Sequence, residues 1–486
     1  MEKKDLKPAG VFRYFEEICQ VPRPSKKEGK IIAYLKDFGQ KHQLETKVDE
    51  VGNILIRKPA TTGMEDCKTV VLQAHMDMVC EKNNDVAHDF LTDPIETYID
   101  GEWMRAKGTT LGADNGIGIA TALAILADDS LEHGPLECLF TIDEETGLTG
   151  AFALKEGFMT GDILLNLDSE DEGQLFIGCA GGVDTVAEFT YQAVDVPQGY
   201  FCAKLQVKGL QGGHSGGDIH LGRGNANKLL ARFLCQALRK YDLYLCHIDG
   251  GNLRNAIARE ASAVIALPEA DKHTLRADLN IFAAEAEAEY ATSDPGLQFI
   301  LESEPMPEKA IDSDTARRLL QSLHIAPHGV MAMSQDIPGL VETSTNLASV
   351  KIKPGQIIRV ETSQRSSITS AKRDIADVVQ TVFEMAGARV SHSEGYPGWK
   401  PNPHSEVLQI AVDSYRRLFG TEAQVMAIHA GLECGLFLDK YPGLDMISFG
   451  PTLQGVHSPD ERMHLPSVEK FWLHLLDILK HIPRRS

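Results

Sequence analysis

Histidine and acidic residues stand directly after three short apolar runs in the first third of the chain. The run 70–74 leads into His75 and Asp77, which are two residues apart and so share one face of an extended strand. The other runs and the acids after them are 136–142 before Glu144 and Glu145, and 163–167 before Asp168 and Glu170. Carboxylates gathered at one place repel one another unless cations lie between them. Ligand sets that mix histidine with carboxylate suit zinc, with manganese and cobalt as alternatives.

Two further candidate ligands lie outside these runs. Asp114 belongs to the glycine-rich sequence GADNG, which opens an apolar helix, and His457 belongs to a glycine-rich loop after the run 444–449. His464 is the alternative to His457 in the same segment. The position of the loop after a strand of the same sheet favours His457, because ligands of open α/β sheets bind at the carboxyl ends of the strands.

The elements that must position these residues alternate between strand and helix. This alternation, from 70 to 168 and again from about 396, is typical of an α/β domain with a largely parallel sheet. The region 183–395 differs, because its strands alternate apolar and polar residues as half-exposed strands do. We therefore predict one α/β domain, residues 1–182 and 396–486, interrupted by an inserted α+β domain at 183–395.

Composition excludes several classes of partner. The net charge of −21 argues against nucleic acid and anionic membranes, since both attract basic surfaces. The chain has no apolar run long enough to span a membrane, and its start lacks the apolar core of a signal peptide. Nine cysteines are scattered without a C-x-x-C motif, which is typical of reduced, buried thiols. These features predict a cytoplasmic protein.

Taken together, the motifs HMD, GADNG and EE, with Asp168 and His457, resemble the co-catalytic zinc peptidases of the aminoacylase and glutamate carboxypeptidase family. The resemblance covers nearly the whole chain, and the motifs stand in the family's order. It is strongest to a branch of bacterial cytosolic dipeptidases that also cleave carnosine-type substrates. The implied fold is a zinc-peptidase-like, three-layer catalytic domain that carries an inserted lid domain.

The resemblance also implies a role for each candidate at the metal site. Two divalent metal ions are implied, first of all zinc, and the implied ligands are His75 and Asp168 for one ion, Glu145 and His457 for the other, and Asp114 bridging both. Asp77 would accept the other ring N–H of His75 and so fix its tautomer. Glu144 would be the general base that accepts the proton of the attacking water. The peptide bond between Asp114 and Asn115 would be cis.

The inserted domain carries a second set of candidates. Its sequence GLQGGHSGGDIH holds His214 and His220, and a phosphate-binding loop is disfavoured because no Lys-Ser or Lys-Thr follows the glycines. The resemblance implies that His214 stabilises the oxyanion of the reaction. Substrate binding is implied for Asn255, Arg365 and Gly435. Glu433, in the same motif as Gly435, receives no catalytic role.

The predicted function is metal-dependent hydrolysis of unblocked dipeptides, including Xaa-His and carnosine-type substrates, into free amino acids. Aminoacylase, carboxypeptidase and tripeptidase activities of the same family stay open as alternatives, as does a binding protein without catalysis. A mononuclear structural zinc site is disfavoured, because such sites are rich in Cys and His whereas this cluster is rich in carboxylates. The resemblance further implies a homodimer formed through the lid domain.

Overall fold

The computed structural model describes residues 3–485, which form two compact units. The first unit consists of the chain up to Cys179, Trp399–Ala427, and the chain from Leu432 onwards. The second consists of Ala180–Gly398 together with the short segment Ile428–Gly431. The domain limits drawn from the sequence stay a prediction, because compactness alone does not show that a segment folds independently.

The first part of the first unit contains eight strands and five helices. The strands are β1 (Glu45–Val48), β2 (Ile54–Lys58), β3 (Val70–His75), β4 (Thr97–Asp100), β5 (Trp103–Ala106), β6 (Leu136–Thr141), β7 (Ile163–Asn166) and β8 (Gln174–Cys179). The helices are α1 (Ala9–Cys19), α2 (Gly29–Lys41), α3 (Ala113–Ala127), α4 (Glu144–Gly147) and α5 (Thr149–Ala153).

The second unit follows with strands β9 to β19 and helices α6 to α9. The strands are β9 (Gly181–Thr190), β10 (Ala193–Asp195), β11 (Tyr200–Lys208), β12 (Tyr244–Gly250), β13 (Ala261–Pro268), β14 (Gln298–Ser303), β15 (Lys309–Ile311), β16 (Gly329–Met333), β17 (Val341–Lys353), β18 (Ile357–Ser366) and β19 (Arg389–His392). The helices are α6 (Ala226–Lys240), α7 (Lys272–Glu289), α8 (Ser313–Ile325) and α9 (Thr369–Met385).

The closing part of the chain returns to the first unit. Its elements are α10 (Glu406–Phe419), β20 (Gln424–Ile428), α11 (Glu433–Lys440), β21 (Asp445–Ser448), β22 (Leu453–Gln454), β23 (Arg462–His464) and α12 (Leu465–Lys480).

The main sheet of the first unit has the strand order β1-β2-β6-β3-β7-β21-β8-β20. Its four central strands, β6, β3, β7 and β21, are parallel, whereas β1, β2 and β8 pair antiparallel with their neighbours. The prediction of a largely parallel sheet therefore holds for the centre only, since an apolar run does not reveal the direction of pairing. Every residue of β3, β6 and β7 is buried, so both faces of the central sheet are covered.

A second, four-stranded sheet of the same unit has the order β22-β23-β5-β4. Its strands β4 and β5 form an antiparallel hairpin. The strands β22 and β23 flank the loop that holds His457 and pair with each other. This pairing positions the loop from both of its ends.

The second unit is built on a large antiparallel sheet with the order β14-β11-β13-β12-β17-β18-β9-β19, to which β16 adds at β17. Its helices pack into one apolar core, where Phe233, Phe282 and Phe383 are almost fully buried. The segregation of helices and antiparallel strands agrees with the α+β texture predicted for this region.

Two expectations from composition can be compared with the described part of the chain. All nine cysteines lie there, and each is a free thiol. Among residues 3–485, no helix is long and apolar enough to cross a membrane.

Candidate active site

His75 is the last residue of β3, and its imidazole is buried between three carboxylates of the first unit. Its Nε2 lies 3.0 Å from Oδ1 of Asp114 and 3.3 Å from Oδ1 of Asp168, and its Nδ1 lies 3.4 Å from Oδ1 of Asp77. Burial opposes the charged imidazolium, but the surrounding carboxylates raise the pKa of His75 well above its usual value. The ring therefore lies where positive charge is favoured.

Asp77 connects this histidine with Glu144, the predicted general base, and Glu145, a predicted metal ligand. Its carboxylate accepts hydrogen bonds from the backbone N–H of Glu144 at 3.0 Å, that of Glu145 at 3.3 Å, and the hydroxyl of Ser25 at 2.7 Å. Burial opposes ionisation, but these bonds and His75 lower the pKa of Asp77 to about 2. Asp77 thus stays ionised, and an ionised carboxylate can fix the tautomer and orientation of a neighbouring imidazole.

Asp114 lies at the start of α3, and its two carboxylate oxygens contact two different histidines. Oδ1 lies 3.0 Å from Nε2 of His75, and Oδ2 lies 3.0 Å from Nε2 of His457. The residue has extended rather than helical backbone angles, and its bond to Asn115 is cis, as the resemblance implied. This orientation directs one carboxylate at two ring nitrogens.

The chain before Asp114 is held by two buried charged residues. Glu461 accepts hydrogen bonds from the backbone N–H groups of residues 111, 112, 113 and 114, at distances between 2.7 and 3.3 Å. Arg23 donates to the carbonyls of Met76, Asp77 and Gly112. Gly112 has a φ of +68°, and a Cβ there would lie 2.7 Å from the Arg23 guanidinium, so only glycine fits this turn.

The remaining ligand candidates complete the cluster. His457 has its Nε2 3.0 Å from Oε2 of Glu145, and this ring is half-exposed. Its hydrogen bonds with Asp114 and Glu145 raise the pKa of His457 to about 11. Asp168 also accepts a hydrogen bond from the side-chain amide of Asn115, and burial raises the pKa of Asp168 to about 6.

The geometry of this cluster fits divalent cations. One ligand atom each of His75, Asp114 and Glu145 lies within 4.8 Å of the others. Within the described chain, Oε1 of Glu145 is buried without a hydrogen-bond partner, which is costly unless a cation satisfies it. Three carboxylates and two imidazoles are donors that zinc accepts, and the arrangement is rich in oxygen and open on the side of His457.

Glu144 lies beside the cluster at the start of α4, in a turn after β6. Asp143, directly before it, has a left-handed backbone, and Glu144 and Glu145 form the first turn of α4. Burial raises the pKa of Glu144 well above its usual value, and the nearby carboxylates of Asp168 and Glu433 add to this effect. A carboxyl group with a raised pKa can both accept and return a proton near neutral pH.

The predicted residues of the inserted region gather in the second unit. His214 accepts hydrogen bonds at Nδ1 from the backbone N–H of Gly216 and Gly217, at 3.2 and 3.0 Å. Its proton therefore resides on Nε2, which is left as a donor. Partial burial and the charge of Arg365 lower the pKa of His214, so the ring is neutral near pH 7.

Arg365 and Asn255 lie in the same unit as His214. The Arg365 guanidinium is largely buried and donates from Nη1 to the hydroxyl of Tyr396 at 2.9 Å. Within residues 3–485, its Nε has no hydrogen-bond partner although it is buried. The backbone carbonyl of Asn255 accepts from the N–H of Ser215 at 2.8 Å, which connects its loop with that of His214.

Three other candidates are placed differently. Gly435 lies in the first turn of α11 in the first unit and donates its backbone N–H to the carbonyl of Leu432 at 3.2 Å. His464 packs its ring on Trp103 at a centroid distance of 4.9 Å, apart from the ligand cluster, whereas His457 joins it. His220 is exposed in the second unit.

Sequence reasoning missed several buried polar residues around these clusters. In the first unit they are Arg23 and Glu461, and in the second unit His429, whereas Glu433 was noted without a role. His429 lies 2.7 Å from the Ser344 hydroxyl through Nε2, and burial together with Arg365 lowers the pKa of His429 to about 3. Glu461 follows Asp460 directly in the loop that holds His457. This position was the local signal that could have drawn attention to Glu461.

Comparison with known proteins places the chain in a family. Residues 71–481 match the model of peptidase family M20/M25/M40, and the chain belongs to this family. It is 44% identical over 484 residues to the cytosol non-specific dipeptidase of Escherichia coli (strain K12), with 100% of both chains covered.

Solved structures agree with this assignment. The crystal structure of aminoacylhistidine dipeptidase from Vibrio alginolyticus is similar with a TM-score of 0.93 and 44% identity, covering 100% of this chain and 99% of that one. A tripeptidase from Staphylococcus aureus shares the fold, with a TM-score of 0.57, 17% identity and coverage of 98% and 99%. The predicted family branch, fold class and enzyme class are thereby confirmed.

Proposed function

We propose that this chain hydrolyses unblocked dipeptides, including Xaa-His and carnosine-type substrates, and that it uses two divalent metal ions bound in the first unit. One observation carries the metal chemistry: the two oxygens of Asp114 contact the histidines of two separate strands or loops, each 3.0 Å away. The substrate class is supported by two full-length relatives, both named dipeptidases.

The ligand set of each ion is part of the proposal. His75 and Asp168 would hold one ion, Glu145 and His457 the other, and Asp114 would bridge the two. When bound there, two divalent cations would supply Lewis-acid polarisation of a carbonyl and would acidify water. Zinc is the first candidate for this mixed donor set, with manganese and cobalt as alternatives.

Glu144 is the residue that moves the proton. Its carboxylate would accept a proton from the attacking water and return it to the nitrogen of the leaving amino acid. Burial raises the pKa of Glu144, which favours uptake of the proton of the water, and the carboxyl group can then return this proton. Asp77 would act on His75 and, through its hydrogen bonds to both glutamates, keep the turn of Glu144 in place.

The second unit would bind the dipeptide and its developing negative charge. The Nε2–H of neutral His214 is a donor suited to an oxyanion. Arg365 would hold the free carboxylate of the substrate in its planar fork, with Asn255 as a neighbouring contact. Gly435, from the first unit, would leave room for the substrate, since its residue has no side chain.

Partners and location follow from composition and relatives. We propose a cytoplasmic enzyme, because the full-length relative from Escherichia coli is named a cytosol enzyme. The net charge of −21 supports neither nucleic acid nor anionic membranes as partners. A homodimer through residues 183–395 stays a proposal from the resemblance.

Amino-acid release from a substrate panel tests the proposed function. The panel holds β-Ala-His, Gly-His, Ala-Ala-Ala and N-acetyl-Met, each with chelated protein and after zinc or manganese is restored. We expect metal-dependent cleavage of the two free dipeptides. Cleavage of only the tripeptide would indicate a tripeptidase, and cleavage of only N-acetyl-Met would indicate an aminoacylase. No cleavage by protein that holds two metals would indicate a binding protein.

Glu144→Gln separates the chemistry from metal binding. This variant should retain both ions and lose turnover by about 10²–10⁴-fold, because it removes the proton acceptor without removing a ligand. Glu156→Gln, an exposed glutamate of the same unit, is the matched control and should keep full turnover. Full activity of Glu144→Gln would contradict the assignment of the general base.

A further inference from the structure

A row of buried polar side chains crosses the centre of the main sheet beneath the candidate ligands. Its members are Thr141 of β6, Gln73 of β3, Asn166 of β7 and Ser448 of β21, each almost fully buried. Asn166 is the ladder partner of both Gln73 and Ser448, and Thr141 is the partner of His75. Ladder partners share a face, so all four side chains lie on the face of the sheet that His75 uses.

Hydrogen bonds join this polar row into a chain with one direction. Ser448 donates its hydroxyl proton to the side-chain carbonyl of Asn166, and the Asn166 amide donates to the side-chain carbonyl of Gln73. Because the proton of Ser448 is used in this way, Ser169, 2.6 Å from it, must donate to Ser448. Each donor thus points along the row toward β3.

The chain of donors ends on Glu433, the first residue of α11. One oxygen, Oε2, accepts from the side-chain amide of Gln73 at 2.6 Å and from the hydroxyl of Thr141 at 2.9 Å. The carboxyl group is almost fully buried, and in the described chain its Oε1 has no hydrogen-bond partner. A buried acid is costly, so its presence in a sheet centre calls for a reason beyond packing.

The polar row is placed next to the ligands in sequence as well as in space. Gln73 stands two residues before His75, Asn166 two residues before Asp168, and Thr141 three residues before Glu144. Glu433 is also close enough to Glu144 for its charge to raise the pKa of Glu144. Hydrogen bonds along the row therefore fix the positions of three strand ends relative to one another, and each of these strand ends carries candidate ligands.

We propose that Glu433 is a positioning residue of the metal centre, and that the polar row leading to it sets the spacing of the strand ends that carry His75, Glu145 and Asp168. Glu433 would act first by accepting both hydrogen bonds at the end of the row. Burial raises the pKa of its carboxyl group to about 8, so Glu433 would carry its negative charge only when cations occupy the cluster. Hydrogen bonds in such a chain polarise and strengthen one another. The inference rests on the proposed function only in that the cluster binds divalent metal.

Glu433→Gln tests this proposal with little change in shape. The amide oxygen of glutamine can still accept from Gln73 and Thr141, while its NH₂ replaces the unpartnered oxygen, so the charge is removed and the packing retained. Glu137→Gln is the matched control, because Glu137 is a buried glutamate at the amino end of β6, bonded to Thr160 and to Arg57. That end of the strand is away from the ligands.

Metal affinity, measured by competition with a chromogenic chelator, is the first result to compare. We expect Glu433→Gln to bind zinc about 10–100-fold more weakly than the parent, the effect typical of partners behind metal ligands, and Glu137→Gln to bind it equally well. The visible spectrum of the cobalt-loaded protein should change in Glu433→Gln alone, because ligand geometry determines it. Equal affinity and equal spectra for all three proteins would overturn the proposal.

Ser448→Ala keeps the test valid if Glu433→Gln does not fold. It removes one donor at the far end of the row, and we expect a smaller loss of zinc affinity together with an altered cobalt spectrum. Unchanged affinity and spectrum in Ser448→Ala would reject the role of the row. A parent protein that holds metal but cleaves no dipeptide would reject the proposed function, while the comparison of affinities would still decide this inference.

Discussion

The histidines of the two units lie in opposite electrostatic surroundings. In the first unit, carboxylates raise the pKa of His75 well above its usual value and that of His457 to about 11. In the second unit, burial and the guanidinium of Arg365 lower the pKa of His214 and bring that of His429 to about 3. The same side chain is thus drawn toward positive charge in one unit and kept neutral in the other.

This difference indicates whether each cluster favours binding of a cation or of an anion. The first cluster has an excess of carboxylates, which favours cations. The same carboxylates favour protonation of its two imidazoles, and a metal ion must displace these protons in order to bind. The second has an arginine whose buried Nε has no partner among the described residues, and a neutral histidine that donates, which favours an anion such as a carboxylate or a developing oxyanion. Variants that change charge in one cluster should therefore affect metal or substrate, but not both.

The largest expected effect is that of Asp114→Asn. It removes the carboxylate that contacts both histidines, so the excess of negative charge falls and the proposed bridge is lost. We expect metal content below one ion per chain and turnover reduced by more than about 10⁴-fold, beyond the loss of a general base alone. Elemental analysis and the dipeptide assay measure both quantities.

Asp129→Asn is the matched control for this variant, since its exposed carboxylate lies just beyond the other end of α3. If Asp114→Asn retained two ions, cation binding by the first cluster would not depend on the carboxylate of Asp114, and the contrast between the two units would be wrong in this respect.

Arg365→Lys should have an intermediate effect, confined to substrate. Lysine keeps the charge but lacks the planar fork, so the substrate carboxylate loses a bidentate partner. We expect KM for Gly-His to rise about 10–100-fold, with metal content unchanged, because a hydrogen bond to a charged group contributes roughly 1.5–3 kcal/mol. Arg359→Lys, on the same strand, is the control. A dipeptide whose carboxylate is blocked as an amide should not distinguish Arg365→Lys from the parent.

The smallest expected effect concerns the stability of the second unit against acid. The folded pKa of His429 is about 3 and the ordinary value about 6.5, so between these values the unfolded chain binds a proton that the folded chain does not. Stability is therefore lost as the pH falls below 6.5, by at most about 1.4 kcal/mol per pH unit. Between pH 7 and pH 5, the free energy of unfolding of the parent should therefore fall by roughly 2 kcal/mol more than that of His429→Gln.

Urea unfolding of metal-free protein at both pH values measures this difference. His220→Gln, which changes an exposed histidine of the same unit, is expected to behave as the parent. An equal loss of stability in the parent and in His429→Gln would contradict this prediction, because His429 would then not lower the free energy of unfolding at acid pH.

Local patterns in the sequence predicted the strands that carry the candidate ligands. A buried strand is a short apolar run, and the runs before His75, Glu144 and Asp168 agree with β3, β6 and β7 to within about two residues. The choice of His457 over His464 rested on its loop, and the structure brings His457 rather than His464 to Asp114. The catalytic and metal-binding roles of these residues stay predictions.

Contacts between distant segments could not be predicted in this way. Gln73 and Glu433 are 360 residues apart, and neither belongs to a motif that signals the other. The residues of the polar row are ordinary amides and hydroxyls, whose importance depends on partners in neighbouring strands. The segment Ile428–Gly431 belongs to the second unit although its neighbours in sequence belong to the first, and no motif in the sequence marks this change.

The separation of Asp114 and His457 along the chain also has a consequence for biosynthesis. The two residues are 343 positions apart, so at roughly 5–20 residues per second the ribosome needs about 17 to 70 s to deliver the second after the first. The acids of the cluster as far as Asp168 are synthesised early in this interval, and most of the second unit is synthesised between Asp168 and His457. If His457 binds the second ion as proposed, loading of that ion would be completed only after the second unit has been synthesised.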